Sequence, residues 1–432
     1  MLNRFLPNSG YYGWIVVGVA FLCSALTSPG QSFAISLYLD VLMADLAISR
    51  IQISSIYAGA TLLAAACLPA VGGLADRVPG RWFLSVTLLL LGLSLLGFAM
   101  VEGVYGLAIA FLAVRLLGQG AIGLGTLTIV VRWFRTYRGR ALALVSLGFA
   151  LGEMVFPGAI YALIDRAGWR TSLVVFATLY LVVFAPLVAW SLRERRPGEP
   201  VDGIGAEQEA TGAARRAAEL DEPDFTLSET LRMRVFWGML LCAIVPPLVM
   251  TAVIFHQVAL FASLGWNAAL VPPAFMAFAL GGVVMTYTTG LLLERVPTRY
   301  GIALGMALIV VAFASTLLPL PVAVGGLLYG LLLGFASGTV AASNSMLWPS
   351  YFGIASLGRI KGIVQAARNG ATALGPPLAA LLATATASFT SVLLLFGGVS
   401  IAAGLLAITL RPPAGRPVGG AYEATPAEFA AD

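Results

Sequence analysis

The sequence predicts an all-α membrane protein: twelve transmembrane helices in two pseudo-symmetric bundles of six. Three observations predict it. Apolar residues make up 59% of the 432-residue chain and charged residues only 10%, against about 25% charged in an ordinary soluble domain. The apolar residues gather in runs long enough to cross a bilayer, which takes about 20 helical residues. A decapeptide recurs at a spacing of 218 residues, once in each half of the chain. A mean hydropathy of +0.92 leaves too little polar surface to coat a water-soluble fold, which excludes a soluble enzyme, a disordered chain and a secreted disulfide scaffold.

The runs follow one another in order. The first six are Tyr12–Leu37, Arg50–Leu74, Trp82–Val101, Tyr105–Val131, Arg140–Ile164 and Thr171–Leu192. After a polar stretch come Val235–Ser263, Leu270–Leu293, Tyr300–Leu318, Val322–Trp348, Ile360–Thr384 and Phe389–Leu410. Gly and Pro recur inside them, as membrane helices tolerate, and no run alternates like a barrel strand. The first run lacks a small-residue cleavage pattern and reads as a span rather than a signal peptide.

Charge orients the bundle. With both termini cytoplasmic, 20 of the 25 Lys and Arg residues lie inside and three lie outside (Arg50, Arg166 and Arg170), while Arg115 and Arg368 fall within spans. That asymmetry is the positive-inside signal of a multi-pass membrane protein, and the expected location is the plasma (bacterial inner) membrane. The net charge of +5 therefore reads as topology and not as nucleic-acid binding. The expected partners are the bilayer, a small anionic substrate, and a proton or exchanged anion, with the chain acting as a monomer. Cys23, Cys67 and Cys242 sit in apolar runs without metal-ligand spacing, and neither a metal nor a cofactor is expected. No HExxH or GxSxG pattern supports an enzyme.

The expected organisation is a six-helix bundle over 1–192, a cytoplasmic linker over 193–232, a second six-helix bundle over 233–411, and a cytoplasmic tail over 412–432. The linker ends in Phe225-Thr-Leu-Ser-Glu229, where Thr226 as N-cap and Glu229 reaching back start a short helix. Residues 72–81 read GGLADRVPGR and residues 290–299 read GLLLERVPTR, six of ten identical, with Asp76 facing Glu294 in the alignment. Each lies between the second and third spans of its half. This is the parallel six-helix duplication of two-half transporters.

An ionisable residue inside a span is a functional candidate, because a charge in hydrocarbon is costly. There are four: Arg115, Glu153, His256 and Arg368. Arg115 and Glu153 fall at similar depth on neighbouring spans, roughly 24 and 20 Å from their inner ends. They could pair, either as a proton relay or as a static bridge. Arg368, followed by Asn369, could grip a carboxylate with two parallel hydrogen bonds or snorkel to the surface. His256 is the sole histidine. It follows Pro246-Pro247, which should disturb its span, and it is either a proton carrier or a packing residue. Ser28-Pro29-Gly30-Gln31 interrupts the first span and can open backbone groups toward a cavity, with Gln31 and Tyr57 as candidate ligand contacts. Asp76 sits at a helix end, among a cationic layer of Arg77, Arg81, Arg138 and Arg140.

These residues carry a resemblance. Gly72-x-Leu-Ala-Asp-Arg77 is similar to the loop signature of the major facilitator superfamily, and Arg115-Leu-Leu-Gly-Gln-Gly120 resembles that superfamily's fourth-helix motif. Arg132-Trp-Phe with Arg138-Gly-Arg-Ala141, Phe225-Thr-Leu with Phe236-Trp237, and Ile254-Phe-His-Gln-Val258 resemble bacterial relatives of monocarboxylate and oxalate/formate carriers. The sequence departs from animal monocarboxylate carriers in having no charge in the first span and none in the eighth before Glu294. The resemblance implies the major facilitator fold. It also implies gating loops built from Gly72, Asp76, Arg77, Arg81, Arg138, Arg140, Glu294, Arg295 and Arg359.

The expected function is secondary active transport of a small organic anion, a mono- or dicarboxylate, by proton-coupled alternating access. Arg368, Asn369, Arg115, Gln31, Tyr57 and His256 would bind substrate, and Glu153, Arg115 and His256 would couple the proton. The alternative is an exporter of drugs or other metabolites with a mainly apolar cavity.

Overall fold

The structure, a computed structural model, describes residues 11–135, 137–195, 225–353 and 356–413. Most of the expected linker (196–224) and tail (414–432) lies outside the described residues. Twelve long helices run through the described residues. The first six are α1 (Gly13–Ser36), α2 (Arg50–Arg77), α3 (Gly80–Ala99), α4 (Val104–Trp133), α5 (Arg138–Ala167) and α6 (Trp169–Ser191). The second six are α7 (Arg234–Phe255), α8 (Ala268–Leu292), α9 (Thr298–Ser315), α10 (Val322–Phe352), α11 (Leu357–Thr386) and α12 (Phe389–Thr409). There is no strand among the described residues.

Eleven of the twelve have both the length and the hydropathy of a membrane span. The exception, α11, is long enough at 30 residues, but Arg359, Lys361, Gln365, Arg368 and Asn369 lower its hydropathy. Large apolar side chains lie bare on helix after helix, Ile109, Val182, Leu394 and Leu405 all above 60% exposed. A surface of that kind suits lipid as its solvent.

The helices fall into two compact units. One holds α1–α6 together with the short segment Ile254–Ala259; the other holds the rest of α7 and α8–α12. In the first unit, α1 packs on α5 and α4. Gly148 and Gly152 of α5 let the two backbones touch: a Cβ at Gly152 would lie 2.6 Å from the Ala25 carbonyl, and one at Gly148 would strike that of Phe21. Small residues replace hydrophobic driving force where lipid is the competitor. Gly168, at φ 81°, makes the one-residue turn from α5 to α6.

In the second unit, α10 lies along α8 through Gly330, Gly334 and Gly338. A Cβ on each would strike the carbonyls of Ala274, Phe278 and Gly282 in turn. The helix Leu227–Arg232 starts at the expected capping box: Glu229 N–H donates to Thr226 Oγ1 (3.3 Å), and Thr226 N–H donates to Glu229 Oε2 (2.8 Å). It is tied to this unit by the Phe225 N–H, which donates to the Phe352 carbonyl.

One expectation needs correcting. The seventh span was expected to run from Val235 to Ser263 with its disturbance at Pro246-Pro247. Instead α7 continues through both prolines to Phe255. The interruption falls at His256, and a second helix follows over Gln257–Ser263.

Candidate functional site

The interruption of α1 organises the polar interior of the first unit. Pro29 has no N–H to give the Ala25 carbonyl, and the Ser28 hydroxyl takes that acceptor at 2.6 Å. Gly30 N–H donates to Thr27 in a tighter turn (3.1 Å), which frees the carbonyl of Leu26. Gln31 is extended (φ −92°, ψ 152°), and Ala34 N–H donates back to Gln31, which frees the carbonyl of Gly30. Buried carbonyls need donors, above all in a bilayer. Tyr180 supplies one, its hydroxyl donating to Leu26 at 2.6 Å. Arg115 supplies the other, its Nη1 donating to Gly30 at 2.9 Å.

Both donors stand on widened π-helical turns, Arg115–Ala121 in α4 and Leu179–Phe184 in α6. Such turns recur at functional sites. The α4 turn and the α1 break touch backbone to backbone: a Cβ on Gly118 would lie 3.0 Å from the Gly30 nitrogen. That is the physical use of the glycines in Arg115-Leu-Leu-Gly-Gln-Gly120.

Arg115 is 1% exposed. Besides Gly30 it donates through Nε to Thr61 Oγ1 at 3.1 Å, and its guanidinium sits 4.9 Å from the centroid of the Tyr57 ring. The Tyr57 hydroxyl meets Ser32 Oγ at 2.6 Å. Glu153 is also buried, yet no ion pair joins it to Arg115. Thus the two residues expected to pair sit in one unit without pairing, and Arg115 is a donor to backbone and hydroxyl oxygens. Gln31 is buried beside the break. His256, 1% exposed, has Nε2 3.4 Å from Ser54 Oγ, and Phe255 packs on Tyr57 with ring centroids 4.3 Å apart.

In the second unit, Arg368 is half-buried on α11, and its Nη1 is enclosed without an acceptor among the described residues. Asn369 accepts from Gln365 Nε2 at 2.9 Å through Oδ1.

The loop residues are mostly solvent-facing: Asp76, Arg77, Arg138, Arg140, Glu294, Arg295 and Arg359 are exposed. Arg81 lies 5.0 Å from the Trp82 ring and Arg140 5.5 Å from that of Tyr137, and Arg138 donates to the Phe134 carbonyl. At Asp76 the backbone carbonyl, rather than the carboxylate, receives the arginine. Arg132 Nη2 donates to the Asp76 and Ala75 carbonyls at 2.7 and 3.0 Å, closing the C-terminal end of α2. Gly72 has open space apart from Leu124. Sequence reasoning singled out neither Thr61 nor Tyr180, and gave Arg132 no site role. A hydroxyl one turn after Tyr57 was the available signal for Thr61.

Twelve long helices among the described residues, eleven of them apolar enough to cross a bilayer, with polar groups held inside two compact units, are the architecture of a membrane transporter. The chain belongs to the Major Facilitator Superfamily, whose family model matches residues 20–352. Among curated proteins it is 27% identical over 209 residues to MFS-type transporter 1 of Ophiocordyceps sp. (strain BCC 1869), covering 43% of this chain and 42% of that one. It is 25% identical over 202 residues to MFS transporter asaE of Aspergillus flavus, 46% of each. The chain thus matches less than half the length of these relatives. Among solved structures, it resembles a bacterial homolog of the human lysosomal transporter Spinster in its inward-facing, occupied form. The TM-score is 0.67 at 13% identity, over 94% of this chain and 95% of that one. The unoccupied form gives 0.66 at 14%, over 93% and 96%.

Proposed function

We propose that the protein is a secondary active transporter that moves a small organic anion, a mono- or dicarboxylate, by alternating access of its two halves. The observation that carries this reading is Arg368. Its Nη1 is buried without an acceptor among the described residues, on a helix with three cations and no acid. A buried guanidinium N–H left unpaired is costly, and a carboxylate offers it two parallel acceptors. Asn369 stands next to it, its amide hydrogens without an acceptor among the described residues. Glu153, buried in a span without a cationic partner among the described residues, is the group proposed to take up and release the coupling proton. His256 is a second candidate for that role.

On the same reading the chain sits in a bacterial inner membrane with both termini cytoplasmic, an orientation that the charge asymmetry supports. The 193–232 linker joins the two halves along the chain, the exposed arginine loops gate access, and a single chain suffices. The test is a thermal-shift screen of the purified chain against small mono- and dicarboxylates. Melting should rise with a subset of them in the native protein and stay level in Arg368→Ala. Shifts that survive the substitution would remove Arg368 from the site.

A second reading is an exporter of lipophilic compounds. It is favoured by Arg115, whose Nη1 and Nε go to Gly30 and Thr61; only its Nη2 stays without an acceptor among the described residues, which leaves Arg368 as the main group to attract an anion. Shifts with lipophilic compounds alone would select it.

A further inference from the structure

Helix α11 has two exposed faces of opposite chemistry. Lys361, Gln365, Arg368, Asn369 and Thr372 fall at i, i+4, i+7, i+8 and i+11, one face of a helix. The first two are exposed and the others half-buried. Leu374, Leu378 and Leu381, 49%, 45% and 57% exposed, lie on the opposite face. One solvent does not suit both. Lipid suits the leucines, whereas a lysine, two amides and an arginine bared to hydrocarbon would each be costly. The polar face therefore meets water.

It is also bounded. The same azimuth continues as Gly375, Ala379 and Ala383, and there α7 closes it: a Cβ at Gly375 would strike the Leu248 carbonyl and lie 3.2 Å from the Ala252 nitrogen. The polar stripe thus runs about 16 Å along the helix and ends where backbone meets backbone.

We propose that this stripe is the anion's track to Arg368, with Lys361 the collecting charge and Gln365 the intermediate donor. Lys361 stands two turns from Arg368, about 10 Å along the axis. Gln365 lies between them, already oriented by its bond to Asn369. The helix offers three cations (Arg359, Lys361 and Arg368) and no carboxylate from Leu357 to Thr386, so the matching occupant is a small carboxylate. The sign of that occupant rests on the anion reading of Arg368; the wetness of the face does not.

The test uses the full chain in proteoliposomes with single substitutions, the unsubstituted chain giving the background from its own cysteines. Gln365→Cys is treated with an anionic and a cationic methanethiosulfonate of similar size, alongside Leu374→Cys. Gln365→Cys should react with both and favour the anionic reagent about three- to tenfold over its intrinsic rate ratio. Adding Lys361→Gln should lower that preference, and Leu374→Cys should stay unreactive. Equal reactivity at 365 and 374, or a preference for the cationic reagent, would overturn the proposal. No substrate is needed, so failure here is distinct from failure of the carboxylate screen.

Discussion

Arg115 donates Nη1 to the carbonyl of Gly30 at 2.9 Å, and its charge is not paired with Glu153. The break in α1 and the arginine of α4 are two parts of one device. Pro29 and the turn around it release three carbonyls from the helical ladder. Ser28, Tyr180 and Arg115 each satisfy one of them.

If Arg115 serves the backbone and not Glu153, the two residues are energetically independent. Arg115→Met should lower stability by about 1.5–3 kcal/mol, the range for hydrogen bonds to a charged group. In a double-mutant cycle with Glu153→Gln the coupling should stay under about 0.5 kcal/mol, as for groups without a shared contact. Thermal unfolding in detergent measures both. A coupling of several kcal/mol would restore the ion pair.

The break itself should tolerate little. Tyr180→Phe leaves the Leu26 carbonyl buried and unpaired, with an expected loss of about 1–3 kcal/mol. Gly30→Ala forces a methyl into the Val114 carbonyl and to 2.7 Å from the Gln119 nitrogen. Overpacking of that kind is destabilising by about 1–3 kcal/mol. A melting temperature unchanged by both substitutions would refute the account of the break.

The glycine stair of the second unit gives a matched pair. Gly334→Ala meets the Phe278 carbonyl and should lower the melting temperature. Gly398→Ala on α12 meets nothing within 4 Å and should be neutral or stabilising by up to about 1 kcal/mol. Equal effects would mean that the α8–α10 contact is looser than described.

The helix Leu227–Arg232 should respond to acid. The Thr226 backbone N–H, and then its hydroxyl, hold the Glu229 carboxyl below the usual carboxylate range. A depressed folded-state value means that the stabilisation is present above the unfolded pKa, about 4.3 for Glu, and is lost as pH falls through the folded value. Amide exchange in this helix should therefore be flat near neutrality and rise below about pH 4 once the intrinsic rate is removed. Thr226→Ala should show the raised exchange at every pH. Exchange in the native chain independent of pH throughout would remove the capping box.

The fold was legible because lipid imposes long apolar runs, and because the decapeptide at 72–81 returns at 290–299. The capping box at Thr226 was legible because its two partners lie three residues apart. The pairing of Arg115 was not. Depth along a helix can be counted from sequence, but the direction a guanidinium takes depends on which neighbouring carbonyls are free. Those of Leu26 and Gly30 become free only once Pro29 reshapes the turn. Likewise Pro246-Pro247 signalled a break that falls instead at His256, because a membrane helix can continue past prolines when neighbouring groups satisfy the freed carbonyls.

The most direct measurement of the central claim is uptake of a labelled small carboxylate into proteoliposomes, with and without an inward-directed proton gradient. The native chain should accumulate it saturably and faster with the gradient. Arg368→Gln should abolish uptake, and Glu153→Gln should keep exchange while losing gradient-driven accumulation. Accumulation that persists in Arg368→Gln, or that keeps its full proton dependence in Glu153→Gln, would contradict the account.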